Sequence, residues 1–374
     1  MTSIQEKFFA LLRIALSSSD EGLSVFPVCG EEDWLELQDI ATKQGLLGVA
    51  FAGISRMPAE KRPPLGLLHQ WAGEAELIRG HNALLNREAA RLTDVFVAQG
   101  RKTAILKGPA NARLYPDPYN RQGGDIDIWV SGGRESVVRM LDDFGMPYDK
   151  ELGLFESGHH LHLKNGSHGL DVEIHFLPSS GIINPFANRR LQCYLDGEIA
   201  KSVLAPEGFY VPPTTFALVM QLAHIQRHFW GRGLGLRHLT EYFVLLQHST
   251  QEERGEVAVR LGRLGLARTC GALMWLLGHV FGLDSSRMLC KPDKWRGKWM
   301  LNDVISGGNF GFHSAREQSR LLLRRIRKRW RSIQLFAFDP LEAFWNEFYY
   351  CIWIFRSLPL RIKLRRLSLK GLRR

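Results

Sequence analysis

Cysteine is sparse and unpatterned in this sequence. The five cysteines, Cys29, Cys193, Cys270, Cys290 and Cys351, are odd in number and never form a CxxC, which excludes a disulfide framework or a zinc knuckle as the basis of the fold. Long apolar runs are missing too. No stretch reaches the roughly 18 uncharged apolar residues that cross a bilayer, and the nearest, residues 348–355, is too short. Internal repeats and low-complexity linkers are also lacking. At the N-terminus Glu6 and Lys7 precede a short apolar run, the pattern of an amphipathic helix rather than of a secretory signal. These absences predict a cytoplasmic protein, peripheral to the inner membrane if it meets a membrane at all.

Charge is plentiful but confined to one end. Of the 49 Lys and Arg and 38 Asp and Glu, residues 316–374 hold 16 and 4, which leaves 33 basic and 34 acidic groups in the rest of the chain. A neutral body with a basic end does not describe a template-reading enzyme, so no sequence-specific nucleic acid is expected. Where Lys and Arg alternate with Leu, Ile and Trp, at 321–331 and again at 358–374, the pattern suits three readings: contact with an anionic membrane or polyanion, a solvated helix, or a disordered tail.

At 374 residues and 45% hydrophobic, the chain can bury more than one core. Helical periodicity over 31–54 and 65–99 predicts an N-terminal helical region spanning 1–100. Short β-type runs follow at 103–106, 125–130, 159–163 and 170–176, with a helical segment at 135–144, and predict an α/β core over 101–205. Helical patterns resume at 215–229, 237–248, 252–264, 267–281, 315–331 and 340–356, which predicts a helical domain over 206–357 and a basic tail at 358–374. The expected class is α+β: a small mixed sheet between N-terminal helices and a C-terminal helical domain.

Chemistry concentrates in the segment 123–130, Gly-Gly-Asp-Ile-Asp-Ile-Trp-Val. Strand alternation puts Asp125 and Asp127 on one face and Ile126, Ile128 and Val130 on the other. Two like charges so close are costly unless a cation sits with them, which makes the pair a seat for Mg²⁺; the alternative is a solvated acidic face. In the later strand Leu170, Val172, Ile174 and Phe176 form the apolar face, leaving Asp171, Glu173 and His175 opposite. Glu173 is then available as a third carboxylate, and three acids around two divalent ions is what phosphoryl and nucleotidyl transfer require.

Taken together, LKG at 106–108, LYPDP at 114–118, Arg121, GDIDIWV at 124–130 and VEIHF at 172–176 resemble the uncharacterised nucleotidyltransferase family of the DNA polymerase beta-like superfamily. The resemblance continues through 184–192, 224–242 and 289–311. Members of that family are often encoded among bacterial capsule and exopolysaccharide genes. It implies that Asp125 and Asp127 are the metal-binding pair, that Glu173 is the third carboxylate, and that Gly108 is the first glycine of the phosphate-cradling signature. It further implies an NTP substrate, a hydroxyl-bearing acceptor linked to surface polysaccharide, and Mg²⁺ or Mn²⁺ as cofactor. Two positions depart from the pattern. Gly108 lies 17 residues before Asp125 without the usual small hydroxyl residue, and Glu241 stands where the family often has Asp.

Around this nucleus Lys107, Gly108, Arg121, Gly124 and Arg237 are candidate nucleotide-binding residues, the basic ones because ammonium and guanidinium groups recognise phosphate. Arg232 and His238 join them from the Gly231–Gly233–Gly235 loop. His160, His162 and His175 are read as lining the nucleotide or acceptor cleft, with a structural role or, together with Glu173, a transition-metal site as alternatives. His224 and His228 stand one helical turn apart, but Ile225 occupies the glutamate position of HExxH, so a zinc protease is excluded. The expected reaction is transfer of a nucleoside monophosphate from an NTP such as ATP to a hydroxyl. A catalytically silent nucleotide- or metal-binding regulator or scaffold, and a protein adenylyltransferase, are the alternatives.

Overall fold

The computed structural model describes residues 2–17, 21–149, 158–164, 169–231, 233–307 and 321–363. The basic tail beyond residue 363 and Arg232 lie outside the described residues. Helix α1 (Ser3–Leu16) starts at a capping box in which Thr2 and Gln5 satisfy each other's backbone N–H groups. After a short α2 (Glu21–Val25) come α3 (Glu31–Gln44) and α4 (Leu47–Arg56). The sequence pattern reads these two as one continuous run. Gly45 divides them by adopting a left-handed conformation, φ 65°, at the end of α3.

Helix α5 (Leu65–Ala98) is 34 residues long and serves both parts of the molecule. Its first turns contribute Leu67 and Trp71 to a large helical core that also holds Phe8, Leu11 and Leu12 of α1 and the inner faces of later helices. Its last turns place Leu85, Ala89, Leu92 and Phe96 in a second core beneath a small sheet.

The sheet is built from β1 (Thr103–Ile105), β2 (Ile126–Val130), β3 (His160–His162) and β4 (Val172–His175), in the order β1-β2-β4-β3. Helix α6 (Pro109–Ala112) follows β1 and α7 (Gly133–Asp143) follows β2. β1 pairs antiparallel with β2, β2 parallel with β4, and β3 antiparallel with β4. Ile105, Ile126, Ile128, Val130, Leu161, Val172 and Ile174 pack down onto α5 and onto Val137 and Leu141 of α7. On the opposite face Ala104 and Trp129 meet the helical core, and the rest is left to polar side chains.

Beyond the sheet, α8 (Pro185–Ile199) is a helix that the periodicity does not assign, although Asn184 caps it and Pro185 occupies its first turn. A hairpin of β5 (Val203–Leu204) and β6 (Tyr210–Val211) leads into α9 (Thr214–Trp230), α10 (Leu236–His248), α11 (Gln251–Ala258), α12 (Ala267–Phe281), α13 (Lys294–Gly307), α14 (Leu321–Phe338) and α15 (Pro340–Lys363). α11 stops earlier than the expected 264, and α13 is a further unassigned helix. The inner faces of α9, α10 and α12 share the core of α1, α3 and α4. Cross-links tie the N-terminal helices to α10 and α12: Arg13 Nε donates to the Val280 carbonyl at 2.8 Å, and the Leu236 N–H to Gln44 Oε1 at 2.8 Å. Among the described residues no helix is long and apolar enough to cross a membrane.

Candidate active site

Register brings the acids together. Asp127 on β2 is directly opposite Glu173 on the parallel β4, and across β4 Glu173 faces His162 while His175 faces His160. Directly paired residues share a sheet face, so Asp127, Glu173, His175, His160 and His162 all project from the side away from the apolar core. Asp125 precedes β2 by one residue and lies two before Asp127, which keeps it on the same side.

Two cations stand among these carboxylates. Lys107, from the end of β1, brings Nζ to 2.6 Å from Asp127 and 3.3 Å from Asp125. Nε2 of His175 lies 3.0 Å from Asp127 Oδ1 and 3.2 Å from Glu173 Oε2. Burial opposes the charge on His175, but the Asp127 and Glu173 carboxylates outweigh it and push the imidazole up to about 9. For Lys107 burial again opposes the charge, and Asp125, Asp127 and Glu173 together raise the ammonium above its ordinary value. Lys107 in turn, against the effect of burial, holds Asp125 well below the usual carboxylate range. Burial favours the neutral form of Glu173, yet His175 and Lys107 hold the carboxyl down at about 2.

Asp127 is 1% exposed, Glu173 18% and Asp125 32%, so the acids line a largely walled site with Asp125 at its open edge. The remaining imidazoles close one flank. His160 Nδ1 approaches Glu173 at 3.6 Å and His162 Nε2 at 3.7 Å. His159, absent from the sequence-derived candidates, lies 2.7 Å from His160; burial, with His160 and His175 beside it, lowers its ring to about 3 and keeps it neutral.

The loops are fixed by glycines and by a brace from the helices. Gly108 has φ 62°, and a Cβ there would meet the Asp125 carbonyl oxygen at 3.2 Å, so the turn that delivers Lys107 to the acids favours glycine. Gly123 packs against Asn82 and Leu85 of α5, where Asn82 Nδ2 also donates to the Tyr119 carbonyl at 2.6 Å. A Cβ on Gly124 would lie 3.9 Å from Arg237 Nη1, which places the Arg237 guanidinium beside the start of the acidic segment. Arg237 Nη1 also donates to the Gln122 carbonyl at 3.3 Å.

Arg121 differs from its sequence reading. It is 4% exposed and its guanidinium is turned onto Glu241 of α10, with Nε 2.7 Å from Oε1 and Nη2 closer still. Gln221 of α9 donates to the second carboxylate oxygen at 3.0 Å. Arg121 therefore braces the loop before β2 against α10. Glu241, marked in the sequence as a departure from a family pattern and as a structural partner for Arg237 one helical turn away, is the other half of that brace.

A divalent cation fits this cluster chemically. Asp127, Glu173 and His175 each offer a ligand atom within 4.8 Å of the others, and His160, His162 and Glu173 do the same. Carboxylate oxygens supplemented by imidazole suit hard and borderline divalent ions. Lys107 and His175 would have to yield part of their hold on the acids to such an ion, and the flexible lysine stem allows that.

No curated protein and no solved structure matches the chain. A family model described as an uncharacterised nucleotidyltransferase matches residues 30–282, about two thirds of the sequence. That span includes the whole sheet, the acidic cluster and the helices that brace it, and on this match the chain belongs to that nucleotidyltransferase family.

Proposed function

We propose that the protein transfers a nucleoside monophosphate from an NTP to a hydroxyl of an acceptor, releasing pyrophosphate, with Asp125, Asp127 and Glu173 holding Mg²⁺ or Mn²⁺. The observation that carries this reading is the opposition of Asp127 and Glu173 on parallel strands, with Asp125 alongside, in a chain of a nucleotidyltransferase family. The bond that forms joins the acceptor oxygen to the α-phosphorus; the bond that breaks is the one from that phosphorus to the pyrophosphate oxygen. Bound divalent ions would offset the triphosphate charge and lower the pKa of the attacking hydroxyl.

The side chains divide the remaining work. Lys107 can swing from Asp125 and Asp127 onto phosphate oxygens, as the negative charge arriving with the nucleotide competes for its ammonium. Arg237, beside Gly124, faces the same region from α10 and is the guanidinium best placed to steady the leaving pyrophosphate. Glu173 is suited to receive the acceptor's proton, since His162 and His160 leave its outer edge partly open. His160 and His162 line the acceptor side. Gly108 and Gly124 let the backbone approach the phosphates.

One observation favours a second reading, a silent nucleotide-binding regulator: Lys107 and His175 pair directly with the acid that would hold the ion. The two are separated by incubating the full chain with each labelled NTP, Mg²⁺ or Mn²⁺ and candidate hydroxyl acceptors, lysate protein included, and measuring pyrophosphate. Turnover that disappears in a folded Asp127→Asn variant supports the transferase. Nucleotide binding without turnover under every condition supports the regulator. Exposed Trp330, Ile333, Phe344, Phe348 and Trp353 on α14 and α15 support peripheral contact of this end with an anionic membrane. Sedimentation with vesicles of anionic and of neutral lipid tests it.

A further inference from the structure

Three imidazoles that the acidic cluster does not use meet where α9 hands over to α10. His224 and His228 stand one turn apart on α9, and His238 projects from the first turn of α10. Their ring centroids are 4.3 Å apart for His224 and His228, 5.5 Å for His224 and His238, and 5.2 Å for His228 and His238. One nitrogen from each ring lies within 4.8 Å of the other two. We propose that His224, His228 and His238 form a separate transition-metal site of the Zn²⁺ class, with a fourth position for water or an anion, that pins the α9–α10 junction and with it Arg237.

The donor set argues for the ion's class. Three imidazoles without a carboxylate are a poor seat for Mg²⁺ or Ca²⁺, which take oxygen, and a good one for Zn²⁺ and its neighbours. Tetrahedral zinc with bonds of about 2.0–2.1 Å needs ligand nitrogens about 3.3 Å apart, so closing onto an ion requires only small ring movements. His224 and His228 are held on one rigid helix. His238 has Nδ1 3.4 Å from the Gly235 carbonyl, a backbone contact of the kind that orients a ligating histidine. The chain reverses between the two helices through Gly233, at φ 113°, which is how residues ten apart come to face one another.

Lys107 and Arg237 stand near enough to His224 and His238 to act on them electrostatically. The same two cations disfavour a bare dication, so the fourth position suits an anion such as hydroxide or phosphate. Because Arg237 adjoins His238 and reaches Gly124, an ion here would set the angle at which that guanidinium meets the acidic segment. The inference does not depend on the transferase reading.

The test is spectroscopic and needs no turnover. The full chain, stripped by a chelator and dialysed, is titrated with Co²⁺ and back-titrated with Zn²⁺. The expected result is intense visible absorption of the tetrahedral type, bleached by Zn²⁺, unchanged in Asp127→Asn and His160→Gln, and lost in His228→Gln. Zn²⁺ affinity, measured against a chromophoric chelator, should fall more than about 100-fold in His228→Gln and far less in Asp127→Asn. Weak octahedral absorption alone, or a band that survives His228→Gln or vanishes in Asp127→Asn or His160→Gln, overturns the assignment. If His228→Gln fails to fold, His224→Gln takes its place, and the spectrum of the unaltered chain decides between tetrahedral and octahedral binding in any case.

Discussion

Nε2 of His175 sits between two carboxylates on neighbouring parallel strands, 3.0 Å from Asp127 and 3.2 Å from Glu173. Without an ion, this imidazole and the Lys107 ammonium are what hold three acids together on one small sheet face. His175→Gln leaves Asp127 and Glu173 opposed without the imidazole that bridges them. The metal-free variant should lose about 3 kcal/mol of stability, read as a lowered urea midpoint, and Mn²⁺ should restore more of it than it adds to the unaltered protein. Equal responses to Mn²⁺ would mean that the ion does not enter at this pair.

Glu173→Gln separates the two duties assigned to that residue. It keeps shape and one acceptor oxygen but gives up the charge, so ion binding should weaken and pyrophosphate release should fall by about a thousandfold or more, the equivalent of several kcal/mol of transition-state stabilisation. A drop of less than tenfold, with nucleotide affinity unchanged, would remove Glu173 from the reaction centre.

Gly108→Ala tests the delivery of Lys107. At φ 62° an alanine is strained, and its Cβ would press on the Asp125 carbonyl at 3.2 Å. With ψ at −112° the residue lies outside the left-handed helical region, so the cost should be about 1–3 kcal/mol, while nucleotide affinity falls because Lys107 and Asp125 are displaced together. Intact affinity in a destabilised variant would make Gly108 purely structural.

The Arg121–Glu241 brace predicts an acid-sensitive step in stability. Burial raises the Glu241 carboxyl, but Arg121 and Arg237 outweigh it and hold it below its ordinary 4.5. A carboxyl lower in the folded than in the unfolded chain contributes stability that is full above pH 4.5 and is lost as pH falls through the folded value. Removing one partner, in Glu241→Gln or Arg121→Met, should cost about 3–5 kcal/mol, and the double variant should cost less than the sum. Denaturant titrations between pH 6 and 3 should show the steep acid limb flattened in Glu241→Gln; an unchanged limb would place the sensitivity elsewhere.

Much of the site was readable because strand alternation is a local property. Ile126, Ile128 and Val130 against Asp125 and Asp127, and Val172 and Ile174 against Glu173 and His175, assign faces without knowledge of partners. What alternation cannot supply is register, and it is the parallel pairing of β2 with β4 that sets Asp127 opposite Glu173. Lys107 and Arg121 show the same limit for cations. Each was legible as a positive group near phosphate, but whether it turns to the acids or to Glu241, 120 residues away, is decided by packing between the sheet and α10. The His224–His228 spacing was visible, whereas His238 joins it only through the Gly231–Gly235 turn. Helix α8 was missed although Asn184-Pro185 is a strong start signal, because its apolar stripe is thin.

The proposed chemistry requires the acids to share divalent ions, and Mn²⁺ binding followed by electron paramagnetic resonance, with a non-hydrolysable NTP present, tests this most directly. The prediction is saturable Mn²⁺ binding that needs the nucleotide for full affinity and weakens at least about tenfold in Asp127→Asn and in Glu173→Gln, while His228→Gln leaves it intact. Mn²⁺ binding indifferent to both acidic substitutions in folded protein would contradict it.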